Sequence, residues 1–170
     1  MSQNPKKLQQ NYYEKTAQEY DSMHLQEGDE HFIALHLLAG LIELYSIKSI
    51  LDVGAGTGRV AQFIQSRHPH LRICSIEPVE ALREIGYKKG LSRDELVDGD
   101  ATNLDFKAGE FDLVCAFGVF HHLPEPIEAL SEMKRVSAKY IFVSDSNNFG
   151  TGNQLIRAIK QCLHFLQLWD

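Results

Sequence analysis

Several residues in this chain have the types and spacing to do chemistry at one place. Gly54-Ala55-Gly56-Thr57-Gly58 is a glycine-rich turn with Asp52 just before it. Glu77 and Asp100 are carboxylates that each follow a short apolar run, and His121-His122 is a pair of imidazoles in a loop. Glycines that lead into a helix are expected to leave unpaired N–H groups at its positive end, with no side chain in the way, so that a polar or anionic group can lie on the main chain. Glu77, roughly twenty residues past the turn, is placed to accept hydrogen bonds from both hydroxyls of a ribose, and Pro78 fixes the backbone beside it. Asp100 can accept from the exocyclic amine of an adenine while the Ala101 N–H donates to a ring nitrogen; the plainer reading of Asp98-Gly99-Asp100 is a turn. His121 and His122 are candidates for a general base should an acceptor have to lose a proton. The simpler role is hydrogen bonding to backbone in the turn before Pro124. Adjacent histidines rarely share one metal and no Cys or Asp stands nearby at ligand spacing, so no metal site is expected.

These residues need a frame that brings them together. Ile47 to Val53, Leu71 to Ile76, Glu95 to Val97, Phe111 to Phe117 and Tyr140 to Ser144 read as short buried strands. Helical patterns lie between them at Val60–Arg67, Val79–Tyr87 and Ile127–Val136, with Pro69 and Gly90 as stop signals. A strongly apolar helix from Glu30 to Tyr45 precedes the first strand, and another starts at about Gln154. Alternating strands and helices predict an α/β fold: a doubly wound, mostly parallel sheet with helices on both faces. Ligands in such sheets lie beyond the carboxyl ends of the strands, where strand order reverses. The glycine turn, Glu77, Asp100 and Phe117-Gly118 should therefore gather in one crevice.

Composition narrows the partners. A net charge of −6 over 170 residues argues against nucleic acid, whose protein footprint is normally basic. Cys74, Cys115 and Cys162 are odd in number and set among apolar residues, as expected of reduced thiols in a cytoplasmic protein. No apolar signal core opens the chain and no segment approaches the length of a membrane span. His31, His36, His68 and His70 are expected on solvated helix faces or in a turn.

The glycine register chooses among cofactors. A dinucleotide turn needs Gly-x-Gly-x-x-Gly, with the last glycine allowing close helix–strand packing under a pyrophosphate. Arg59 occupies that third place here, which disfavours NAD. A small zwitterion suits the turn better, with Asp52 beneath it to meet an ammonium, directly or through water. Leu51-Asp52-Val53-Gly54-Ala55-Gly56-Thr57-Gly58, Glu77-Pro78, Gly99-Asp100-Ala101 and Phe111-Asp112-Leu113-Val114 leading to His121-His122-Leu123 resemble, in this order, the class I S-adenosylmethionine-dependent methyltransferases, and within them the type 11 small-molecule branch.

The resemblance implies a Rossmann-like methyltransferase fold and S-adenosylmethionine as cofactor. It implies that Gly54, Ala55, Gly56 and the carbonyl of Phe117 or Gly118 hold the methionine end, Glu77 and Pro78 the ribose region, and Asp100 with Ala101 the adenine. It also implies that an N-terminal helical cap, residues 1–45, folds over the α/β unit, residues 46–170, with Tyr12, Tyr13 and Tyr20 on the lid; the alternative is that these tyrosines only pack the helix onto the sheet. The expected activity is methyl transfer to a small-molecule acceptor by in-line displacement. The alternative is an inactive cofactor-binding protein with a regulatory or scaffold role. The family sheet has two further strands after the fifth, which are expected to be missing here. The fifth strand would then be an open edge, completed by pairing with a second copy through that strand and the C-terminal helix.

Overall fold

The computed structural model describes residues 13, 14, 16, 17, 20 and 30–145. Tyr12, Cys162 and the helix expected from Gln154, with the pairing assigned to it, lie outside the described residues. In chain order the elements are α1 (Glu30–Leu44), β1 (Ser49–Val53), α2 (Arg59–Arg67), β2 (Arg72–Ile76), α3 (Glu80–Lys88), β3 (Leu96–Val97), β4 (Phe111–Phe117), a single 3-10 turn (Phe120–His122), α4 (Pro126–Val136) and β5 (Ser137–Ser144).

The strands lie in the order β3-β2-β1-β4-β5, all parallel. This follows from their composition: a strand covered on both faces must be apolar at odd and even positions alike. In β1, Ile50 faces a cluster with Leu35, Leu38 and Ile42 of α1, Val60, Ala61 and Ile64 of α2 and Leu113 of β4. Leu51 and Val53 face the opposite cluster, with Val114 and Ala116 of β4 and Ala129, Met133 and Val136 of α4. The long apolar helix α1 thus shares its core with the sheet.

From β1 the chain winds outward through β2 to β3, then returns across the sheet to place β4 on the other side of β1. Strand order reverses between β1 and β4, and a crevice opens there beyond the carboxyl ends.

β5 begins three residues earlier than the apolar run from Tyr140 indicates. Ser137 both ends α4 and pairs with Phe111, so helix passes into strand without a loop. The polar Ser137-Ala138-Lys139 gives no strand signal by itself; Lys139 is held there by Asp112 of β4 at 2.8 Å. β5 is the outer strand among the described residues, and Tyr140 and Val143 are exposed on it.

Candidate functional site

The glycine turn has the backbone its sequence demands. Gly54, Gly56 and Gly58 have φ of 72°, 57° and 83°, the left-handed region in which a Cβ is strained. The turn differs from expectation in one respect: its N–H groups are not left open. Gly54 and Ala55 both donate to the carbonyl of Ile76 at 2.9 Å, Gly56 donates to Glu77 Oε2 at 2.9 Å, and Gly58 donates to Ala55 O at 2.9 Å. A strand buried between two neighbours ends where β2 also ends, and the carboxyl end of β2 takes up the donors. The turn therefore offers closeness of approach, not a nest of free N–H groups. A Cβ on Gly54 would stand 2.5 Å from Val119 Cγ2, and one on Gly56 would stand 2.8 Å from the Tyr20 hydroxyl.

Glu77 is 6% exposed, so its carboxylate must be satisfied. Oε2 accepts from Gly56 and Oε1 accepts from Val79 N–H at 2.9 Å, at the start of α3. Burial pushes its pKa up, against the pull of those two N–H groups and of Arg83. An ionised carboxylate has about four acceptor positions, and two are used here by backbone, leaving room for two hydroxyls from a ligand.

Asp52 is 1% exposed and sits in register between Ser75 of β2 and Cys115 of β4. The Cys115 thiol donates to Oδ1 at 3.7 Å, while among the described residues Oδ2 has no hydrogen-bond partner. Burial raises its pKa to about 7, opposed by the Cys115 contact and the Arg59 charge. A deeply buried carboxylate oxygen without a partner is rare in folded proteins and calls for an explanation. An incoming cation supplies one.

Asp100 makes a turn and faces the crevice. Oδ1 accepts from Thr102 N–H at 3.0 Å and from Thr102 Oγ1 at 2.9 Å, which makes the turn, and the residue also lines the crevice. The segment after it is pinned by α4: Glu132 accepts from Leu104 N–H at 2.9 Å and Arg135 donates to Leu104 O at 2.7 Å.

At the ends of β4 and β5 the polar groups are imidazoles paired with side chains. His121 Nδ1 lies 2.5 Å from Asp145 Oδ1, and Phe120 N–H donates to Asp145 Oδ2. His122 Nε2 lies 2.9 Å from the Tyr13 hydroxyl. His31 is half-buried and not on a solvated face: Nδ1 lies 2.9 Å from Ser144 Oγ, and the ring stands edge-on to Phe117. Asp145, Ser144 and His31 are site residues that sequence reasoning missed. Asp145 had a signal, being an acidic residue directly after a strand, as Glu77 is. The His31–Ser144 pair, 113 residues apart, had none.

Two adjoining cavities occupy the crevice. The first is walled by Glu77, Pro78, Asp100 and Ala101 and runs to Gly118 and His122. The second touches Asp52, Ala55, Phe117, Gly118 and His121. Gly54, Tyr13 and Tyr20 line both. Of the described residues expected here, Gly56 is on neither wall, since Tyr20 lies over it. The described residues hold no cluster of three metal-ligating side chains.

Comparison with known proteins gives this crevice a context. A protein-family model described as a methyltransferase domain matches residues 51–140, over half of the chain. A demethylmenaquinone methyltransferase of Thermotoga maritima is 36% identical over 90 residues, 52% of this chain and 38% of that protein. A malonyl-acyl-carrier-protein O-methyltransferase of Geobacter sulfurreducens is 32% identical over 118 residues, 68% of this chain and 44% of that protein. The chain thus spans less than half the length of these relatives. Among solved structures, the plantazolicin methyltransferase BpumL, in complex with a triazolic desmethylPZN analog and SAH, superposes with a TM-score of 0.65 at 20% identity, covering 91% of this chain and 66% of its own. At that identity the likeness speaks for the fold.

Proposed function

This chain belongs to the methyltransferase domain family, and on that premise we propose that it binds S-adenosylmethionine in the crevice and passes the methyl group to a small-molecule acceptor. The observation that carries the reading is Asp52, which lines the second cavity and whose Oδ2 has no hydrogen-bond partner among the described residues. A buried carboxyl group with one open oxygen, which an incoming cation would ionise, suits the ammonium of a methionine. Arg59 lines the same cavity and suits the carboxylate. In this reading the two remaining acceptor positions of Glu77 take the ribose hydroxyls. Pro78, Val79 and Leu82 flank the adenine, and Asp100 with Ala101 reads its edge. Gly54 makes room for Val119, whose side chain also lines the first cavity. Tyr13 and Tyr20 close over the crevice and exclude water.

The bound cofactor supplies a methyl group already activated on a sulfonium. The residues of the chain have to hold the two reactants in line, an effect worth roughly 7–11 kcal/mol where orientation is complete. Asp52 and Glu77, fixed at the ends of the neighbouring strands β1 and β2, supply that rigidity on the cofactor side. Cys74 and Cys115, both free thiols, suit a reducing compartment, and we place the chain in the cytoplasm. No helix of the described residues is long and apolar enough to cross a membrane.

Calorimetry with S-adenosylmethionine and with its demethylated product tests the reading. Saturable one-to-one binding of both is expected. A folded chain that takes up neither compound removes it.

A further inference from the structure

Resting on that cofactor reading, we propose that Cys115 is a positioning residue for cofactor binding: its thiol ties down Oδ1 of Asp52, so that Oδ2 is the oxygen that meets the cofactor ammonium. Three strands set the geometry. Ile73 of β2, Ile50 of β1 and Leu113 of β4 lie side by side, in the apolar cluster beneath α1 and α2. Side chains alternate along a strand, so the next row on this face is Ser75, Asp52 and Cys115, again in register. An apolar sheet face thus gives way to one polar row just before the glycine turn. All three side chains of that row are buried, at 1% exposure or less.

Within the row, Asp52 is held from the β4 side. The Cys115 thiol donates to Oδ1 at 3.7 Å, while Oδ2 and Ser75 Oγ have no hydrogen-bond partner among the described residues. Of the two neighbours, the weaker donor is the one in use. The other charged groups that Asp52 feels are Arg59 of α2 and Glu77 after β2. His31 of α1 lines the same cavity, as do Tyr13, Tyr20, His121 and His122.

A thiol suits this place on two counts. It is apolar enough for the core that Cys115 shares with Leu35 and Ile64. Burial, with the Asp52 charge beside it, pushes the thiol pKa well above its ordinary value, so the proton stays on sulfur and the group stays a donor. A stronger donor would favour the ionised carboxylate whether or not a ligand is bound. The thiol is weak enough to leave that task to the ligand. Below about pH 7 Asp52 holds its proton. As the ammonium reaches Oδ2, that proton goes to solvent, and the charge it leaves behind is shared with Oδ1, where the S–H bond tightens.

The test uses the full chain, S-adenosylhomocysteine as ligand, infrared spectroscopy of the S–H stretch, and calorimetry. Near pH 6 the ligand is expected to move the Cys115 band to lower frequency, because an ionised acceptor strengthens the bond. Near pH 8.5 the carboxylate is already ionised, and the band should move far less. Cys115→Ala identifies the band by its loss. In that variant the ionisation of Asp52 should shift up by about half a pH unit, so that ligand affinity falls about threefold near pH 6 and matches the parent near pH 8.5. A parent that binds no S-adenosylhomocysteine sinks the cofactor reading and this proposal with it. A parent that binds it with no movement of the band near pH 6 overturns this proposal alone, whether or not the variant folds. So does a Cys115→Ala chain with the parent affinity near pH 6, or one weakened equally at both pH values, as loss of core packing would do.

Discussion

On the β1–β2 side of the crevice, main chain does most of the holding: Glu77 takes N–H groups from Gly56 and Val79, and the turn itself is clipped to Ile76. On the β4–β5 side, side chains pair with one another, His121 with Asp145, His122 with Tyr13 and His31 with Ser144, and Phe120 N–H is the one main-chain donor named among them. Backbone positions are set by the fold and change little with the side chains around them. Side-chain pairs can be exchanged one at a time without moving a strand. The first half of the crevice is thus suited to a constant ligand and the second to a ligand that differs from one relative to the next. This matches a family whose members share a cofactor and divide over acceptors.

If this difference is real, substitutions on the two sides must separate stability from selectivity. Glu77→Ala should have the largest effect. It strands two N–H donors in a buried place, each worth about 1–3 kcal/mol, so urea unfolding should show a loss of about 2–5 kcal/mol and calorimetry no cofactor binding. Gly54→Ala comes next. With φ of 72° and Val119 in the way, it should cost about 1–3 kcal/mol and weaken cofactor binding, by the same two measurements.

Asp52→Asn sharpens the comparison through pH. The folded chain holds the Asp52 proton up to about pH 7, whereas the unfolded chain releases it near the ordinary value of 3.8. Between these values the folded state binds more protons, so this group's contribution to stability falls as pH rises through the window and is fully lost above it. The asparagine variant carries no such penalty, and its stability relative to the parent should rise from pH 4 to 7 and then level off. A ligand ammonium favours the ionised form, so cofactor binding by the parent near pH 6 should release close to one proton. Calorimetry in two buffers of different ionisation enthalpy reads this, and the release should vanish above pH 8 and in the variant. Tyr13→Phe should be the mildest change. It removes one bond to His122 on the open side, costing no more than about 1 kcal/mol in urea unfolding, with cofactor affinity kept.

Legibility in the sequence follows the same division. β4 was readable to the residue, Phe111–Phe117, since a strand covered on both faces writes a continuous apolar run. Glu77 and Asp100 were readable as crevice residues because a parallel sheet puts strand ends together. The occupancy of the turn's N–H groups was not, for it depends on where β2 stops relative to β1. The start of β5 escaped because Ser137, Ala138 and Lys139 are placed by register with Phe111 and by the ion pair with Asp112, both set in another strand. His31 looked like a solvated helix residue because its partner, Ser144, lies at the far end of the sheet.

The clip between the turn and Ile76 also bears on the order in which the chain comes together. β1 pairs with β2 across about two dozen residues, Ser49 with Arg72 and Val53 with Ile76. Its pairing with β4 joins Ile50 to Leu113, a far longer loop to close and a slower contact to make. A nascent chain can therefore seat Gly54 and Ala55 on Ile76, and Gly56 on Glu77, while β4 is still to be synthesised. The β1–β2 half of the crevice is old, in the lifetime of each molecule, before the β4–β5 half exists.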